Sequence, residues 1–180
     1  MDKKDVRRRI KADVLSLSAE SRAEQSRRVV EQLRDIIEQS KARVVALFAP
    51  LSDEVQIGEL ISQLSSRVAL PRVGDMADGT PDMAFLYYDS RALAVGAYGI
   101  QEPQAGEPCA ICDIDVMVVP GVAFTSAGER LGRGKGYYDR YMAREGFRAM
   151  TIGVCYACQL CDELPVEEHD RRVDMVVSAV

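Results

Sequence analysis

Residues 113–121, DIDVMVVPG, hold the clearest buried strand of the chain, apolar on both faces and stopped by Pro120 and Gly121. A strand with one wet face alternates polar and apolar residues. One that is apolar on both faces has to be covered on both, the condition of a strand inside a parallel sheet. RVVALFA (43–49), AMTIGVC (149–155) and VDMVVSAV (173–180) have the same character, while RVALP (67–71) and MAFLYY (83–88) read as shorter strands. Between them lie helical periods. A basic helix is predicted near 3–15. A second follows an N-cap at Ser18 with Glu20 in its first turn, carrying the stripe Val29, Val30, Leu33, Ile36 and Ile37. PLSDE (50–54) reads as a turn, Ile57, Leu60, Ile61 and Leu64 as an amphipathic helix, and YYDRYMARE (137–145) as another helix. RVGDMADGTPD (72–82) reads as loop, and 89–112 as an ordered surface segment or long loop. Strands alternating with helices predict an α/β fold, three layers with a largely parallel central sheet and helices on both faces. No repeat or low-complexity linker interrupts residues 1–180, which predicts one domain.

Composition excludes several functions. A net charge of −5 and a pI near 5.0 argue against general nucleic-acid binding. No run approaches the roughly 18–20 apolar residues of a membrane span, and the charged start MDKKDVRRRIKADVL lacks a signal-peptide core, so a cytoplasmic protein is expected. Cys109 and Cys112, with Cys155, Cys158 and Cys161, have spacings that suit a metal. They run into or end apolar stretches, however, and read as half-buried thiols of a reducing compartment. His169, the sole histidine, reads as a structural hydrogen-bonding residue.

The chemistry concentrates in GERLGRGKGYYDRY (128–141). It is no P-loop, because Gly136 follows Lys135 where Ser or Thr belongs and Glu129 stands in place of the first glycine. It is no dinucleotide loop either, because Tyr137 and Asp139 occupy the positions of a third glycine. The segment nevertheless joins the end of a buried strand to a helix, at the sheet rim where α/β proteins bind ligands. Its glycines bring backbone N–H groups close to a ligand. The helix start attracts an anion, and Arg130, Arg133 and Lys135 add positive charge. A polyphosphate fits this set, and Asp139 among the cations fits a shared Mg²⁺.

PGVAFTSAGERLGRGKGYYDRY resembles the signature of the 5-formyltetrahydrofolate cyclo-ligase family. KKDVR, LSDE, ALPRV, YGIQEP and LPVEEHDRRVDMVV extend the resemblance, in order, over nearly the whole chain. The resemblance implies the three-layer architecture shared with sugar-phosphate isomerases and CoA transferases. It also implies an ATP- and Mg²⁺-dependent ring closure of 5-formyltetrahydrofolate to 5,10-methenyltetrahydrofolate. By motif, Lys3, Arg7, Arg130, Leu131, Gly132, Arg133, Gly134, Lys135, Gly136, Tyr137 and Tyr138 would bind ATP, with Arg133, Lys135 and Tyr138 catalytic. Glu54, Tyr98 and Tyr138 would bind the folate, and Asp139 and Asp170 would hold Mg²⁺. The protein would act as a monomer on small molecules, with no nucleic-acid or membrane partner. The family usually has an aspartate after GVAF, where this chain has Thr125. A non-catalytic folate- or nucleotide-binding regulator, and a sugar-phosphate isomerase on a similar scaffold, are the alternatives.

Overall fold

Side-chain caps start both long helices where the sequence places them. In the computed structural model, which describes residues 2–75, 81–91, 93–95, 101–103 and 105–180 (backbone only at 75, 81, 95 and 101), Asp2 caps α1 (Lys3–Ser16) by accepting the Asp5 N–H at 2.7 Å. Ser18 caps α2 (Ala19–Ser40) through the Ser21 N–H at 3.1 Å. α1 buries Val6, Ile10 and Val14, and α2 buries Val29, Val30, Leu33 and Ile37. Spacings of three and four put each set on one helix face.

The strands are β1 (Val44–Ala46), β2 (Arg67–Asp75), β3 (Pro81–Tyr87), β4 (Leu93–Val95), β5 (Gln101–Pro103) and β6 (Pro108–Cys109). They continue with β7 (Val116–Val119), β8 (Ala123–Thr125), β9 (Arg130–Leu131), β10 (Met150–Cys155), β11 (Leu160–Cys161) and β12 (Met175–Ser178). Seven form the central sheet in the order β12-β10-β7-β1-β2-β3-β6. From β12 to β2 the neighbours are parallel, and β3 and β6 add an antiparallel edge. Val45, Val68, Val116, Val118, Ile152 and Val154 face α1 and α2 in one apolar cluster. Ala46, Ala69, Met117, Val119 and Cys155 face a second cluster that includes Tyr141 and Met142 of α4 (Tyr137–Met142). The sheet is thus covered on both faces, as its apolar strands require.

Four segments depart from the sequence-based expectation. The helix expected over 57–64 is confined to α3 (Leu60–Gln63), although Ile57 and Leu60 are fully buried. Ser65 is held by Glu38 at the end of α2, and Ser66 donates to the Ala42 carbonyl at 2.7 Å, so the chain leaves the helix early to enter β2. The expected loop over 72–82 is mostly strand, because β2 and β3 pair from Ala69–Tyr87 to Asp75–Pro81. Pro71 survives inside β2 because its pairing direction faces the side that β1 has already left, so no ladder bond is lost. Within 89–112, β4 pairs with β5 and β6 extends the sheet. The helix expected over 137–145 ends at Met142, where Arg144 N–H turns back to the Tyr141 carbonyl before Gly146 takes a φ of +85°. No helix of the described residues is long and apolar enough to cross a membrane.

Candidate functional site

Beyond the carboxyl ends of β1 and β7, two cavities meet at the glycine-rich loop. One, of about 260 Å³, is mainly apolar. Phe48, Leu51, Pro71, Val73 and Met83 line it together with Glu54, Glu102 and the loop residues 130–139 that reach it. The other, of about 500 Å³, is lined by charged groups, with Lys3 and Arg7 from α1, Lys135 and Arg140 from the loop side, and Glu167, His169 and Asp170 from near the chain end. Gly132, Lys135, Gly136 and Asp139 border both.

The loop is shaped by its neighbours. Hairpin β8–β9 is closed by Thr125, whose hydroxyl accepts the Glu129 N–H at 3.1 Å, while Arg172 binds the Glu129 carboxylate at 2.8 Å. The Thr125 hydroxyl and backbone thus close the turn that leads into the loop. Gly136 caps α4 with a φ of +68°, a conformation glycine adopts without penalty, so α4 starts at Tyr137 as the sequence predicts. Arg7 donates from Nε to the Gly132 carbonyl at 2.8 Å, tying α1 to the loop. Lys3 and Arg7, four residues apart, share one face of α1. Gly134 lies against the Arg7 guanidinium.

The basic residues have distinct surroundings. Arg130 is 5 % exposed and donates to the Pro120 carbonyl at 3.1 Å and to Asp139 Oδ1 at 3.0 Å, with its guanidinium 5.7 Å from the Tyr138 ring. It braces the loop from beneath. Leu131 is buried in the core and also borders the charged cavity. Arg133 spans from Nε to Glu54 Oε1 at 3.0 Å and from Nη2 to Asp53 Oδ1 at 2.6 Å. Partial burial opposes its charge, but Asp53 and Glu54 hold the guanidinium more firmly protonated than usual. Glu54 is buried, and its other oxygen accepts the Leu51 N–H at 2.9 Å. Lys135 is exposed and has no ion pair or hydrogen bond among the described residues. Burial drives the Tyr138 phenol above its ordinary pKa, with Glu54 adding to the rise. Tyr137 stands beside it under the Arg140 guanidinium, 5.4 Å from the ring centre. Tyr98 lies outside the described residues.

Asp139 and Asp170 both line the charged cavity. Asp139 Oδ1 accepts from Arg130 and from the Arg171 N–H at 3.0 Å. Asp170 Oδ2 accepts from Lys3 at 2.7 Å and from the Glu167 N–H at 2.6 Å. Burial works against the Asp170 charge, yet Lys3 and that N–H hold its carboxyl below the ordinary range. Desolvation opposes the Lys3 charge, but the Asp170 carboxylate and that of Glu167, 3.1 Å away, raise it above its ordinary value. Among the described residues no three His, Cys, Asp or Glu side chains cluster as metal ligands. Two carboxylates suit Mg²⁺ when phosphate oxygens complete its shell. Asp139 Oδ2 and Asp170 Oδ1, which make no hydrogen bond to a described residue, fit that arrangement. His169 is largely exposed, with Nε2 3.3 Å from Glu167. Cys155 is buried, its thiol pushed up to about 12 by desolvation, and burial also raises Cys158 and Cys161.

Sequence reasoning missed Asp53 and Glu102. Asp53 is adjacent to Glu54 and shares Arg133 with it. Glu102 sits in YGIQEP, a motif read only for its tyrosine, yet it is a carboxylate in a strand that an apolar cavity buries to 3 % exposure.

The family model described as 5-formyltetrahydrofolate cyclo-ligase family matches residues 1–179. The 5-formyltetrahydrofolate cyclo-ligase of Mus musculus is 28 % identical over 188 residues, covering 97 % of this chain and 92 % of that protein. That of Saccharomyces cerevisiae is 30 % identical over 197 residues, covering 96 % and 92 %. The solved structure of Aquifex aeolicus 5,10-methenyltetrahydrofolate synthetase superposes with a TM-score of 0.86 at 34 % identity, covering 99 % of this chain and 90 % of that one. The Mycoplasma pneumoniae synthetase, at 23 % identity and a TM-score of 0.79 over both full chains, shares the fold. With a glycine-rich loop between two cavities and a family match along almost its entire length, the chain belongs to the 5-formyltetrahydrofolate cyclo-ligase family.

Proposed function

We propose that the chain, as one domain over residues 1–180, catalyses ATP-dependent cyclisation of 5-formyltetrahydrofolate to 5,10-methenyltetrahydrofolate, releasing ADP and phosphate. The observation that carries this reading is the meeting of an apolar and a charged cavity at one loop, with Gly132, Lys135, Gly136 and Asp139 common to both. A flat heteroaromatic ring suits the first cavity and a triphosphate the second. The formyl oxygen and the γ-phosphate then meet at the loop.

In this reading the formyl oxygen displaces ADP from the γ-phosphate. Nitrogen 10 closes on the activated formyl carbon, and the C–O bond breaks to release phosphate, which carries off the nitrogen-10 proton. The protein needs no nucleophile of its own. Its work is positioning and charge stabilisation. Lys135, without a partner among the described residues, meets the transferring phosphoryl group. Arg133 is held at the same boundary by Asp53 and Glu54. Tyr138, a neutral phenol lining the apolar cavity, donates a hydrogen bond on the folate side. Lys3, Arg7 and the backbone of 131–137 hold the polyphosphate. Mg²⁺ held by Asp139, Asp170 and phosphate oxygens would supply further neutralisation of charge. Thr125 keeps the loop ordered, so its departure from the family pattern gives no support to a non-catalytic role.

Incubation with 5-formyltetrahydrofolate, ATP and Mg²⁺, followed by the near-ultraviolet absorbance of the methenyl product, tests the reading. No product at any protein concentration sinks it. A cytoplasmic monomer is part of the same proposal, and sedimentation at assay concentration tests its oligomeric half.

A further inference from the structure

Arg133 is held by two carboxylates, Asp53 and Glu54, and the turn that presents them is a unit in itself. Within residues 51–56 the Glu54 N–H donates to the Leu51 carbonyl at 3.1 Å, and the Leu51 N–H donates back to Glu54 Oε2 at 2.9 Å. Gln56 Nε2 donates to the Leu51 and Glu54 carbonyls, each at 2.8 Å. Such a unit moves as one body, so its position depends on what anchors it from outside. Two buried hydroxyls do so. Ser26 of α2, 4 % exposed, accepts the Gln56 N–H at 3.1 Å. Tyr156, 1 % exposed, donates from its hydroxyl to the Glu54 carbonyl at 2.8 Å, and the Ser26 hydroxyl lies 3.4 Å from that of Tyr156. A further contact, from Arg22 to the Ser52 carbonyl at 3.3 Å, is exposed. A buried polar network whose members are all satisfied is rigid.

Tyr156 follows β10 directly and is itself held. Its N–H donates to Gln159 Oε1 at 2.8 Å, and Gln159 Nε2 donates to the Gly121 and Val122 carbonyls at 3.2 and 3.0 Å. Gly121 and Val122 lead from β7 into hairpin β8–β9, which carries the chain into the glycine-rich loop. Residues 156–159 therefore hold both supports of Arg133, the turn that presents Asp53 and Glu54 and the root of the hairpin from which Arg133 itself extends. We propose that Tyr156 is a positioning residue for Arg133, acting through the Glu54 carbonyl, with Gln159 fixing Tyr156 relative to the loop. Tyr156 lines neither of the two cavities that meet at the loop, so its effect passes through other residues. This assignment rests on the cyclo-ligase reading and goes further by naming what aligns the basic loop.

Tyr156→Phe removes one oxygen and leaves the ring in the core. The kcat for 5-formyltetrahydrofolate is expected to fall about 10-fold, short of the roughly 10²-fold that a 1 Å misplacement can cost. A second readout follows Arg133 itself. Its Nε–H, bonded to Glu54 at 3.0 Å, gives a nitrogen–proton resonance that is identified by its loss in Arg133→Lys. In Tyr156→Phe this resonance is expected to move and to exchange with solvent about 10-fold faster, as local opening becomes easier. A tyrosine that only stabilises the core would lower the melting temperature on substitution and leave the Arg133 resonance in place. An unmoved resonance, or wild-type kcat in Tyr156→Phe, overturns the assignment. Wild-type protein that forms no product removes the cyclo-ligase reading instead, and the Arg133 resonance still decides whether Tyr156 places that side chain.

Discussion

Lys135 shows how much one residue's surroundings say about its task. It is exposed at the seam of two cavities and has no partner among the described residues, so its charge is available to a ligand at no cost in broken contacts. Lys135→Ala should lower kcat by roughly 10²–10³, about 2.7–4 kcal/mol of transition-state charge stabilisation, with an unchanged circular dichroism spectrum. Near-normal turnover would remove the residue from the mechanism. Asp139→Asn should shift the Mg²⁺ titration of activity to higher concentration, and an unmoved titration would take Asp139 out of the metal site. Both residues were legible in the sequence because their motif is contiguous. Asp53 and Glu102 were not, because their surroundings depend on Arg133, 80 residues from Asp53, and on the cavity that buries Glu102.

Elements, rather than residues, determine where the loop stands. Hairpin β8–β9 is pinned at Gly128, whose φ of +85° lies in the left-handed region, and a Cβ there would come within 2.2 Å of the Val173 carbonyl oxygen. Gly128→Ala should therefore cost at least about 1–3 kcal/mol from the backbone alone, read as a lower melting temperature. Thr125→Val, close to isosteric, leaves the Glu129 N–H without its acceptor and should cost about 1–3 kcal/mol. The same melting curve as wild type would show that the hydroxyl does not order the hairpin. The capped helices α1 and α2 were readable because caps and periods are local. The length of β2 was not. Gly74, Gly79 and Pro81 argued for a loop over 72–82, and only the pairing of β2 with β3 made most of it strand.

Over the whole molecule, Lys3 and Asp170 join the first helix to the segment before the last strand, 167 residues apart. The folded Asp170 carboxyl is held below its ordinary pKa, so its contribution is present above the ordinary carboxylate range and is lost as pH falls through the lowered value. Lys3 is raised, so its share is complete below the ordinary lysine range and lost as pH rises through the raised value. The clamp should be intact from about pH 5 to 9. Lys3→Met should flatten the acid limb of the stability curve by roughly 1 kcal/mol, measured by denaturant unfolding between about pH 5 and 2. An acid limb parallel to that of wild type would show the pair to be energetically silent.

By itself, the sequence determined the layers, the parallel sheet, both long helices and the loop that carries the chemistry. Each follows from periodicity, capping or a contiguous motif, which act over a few residues. Tertiary structure alone decided which charges are spent on other charges and which are free for a ligand. Arg130 is committed to Asp139 and Pro120, Arg133 to Asp53 and Glu54, and Lys3 to Asp170, whereas Lys135 is left open among the described residues. Those pairings join residues far apart in the chain. They come from how strands end and where loops cross the sheet rim, which no local pattern encodes.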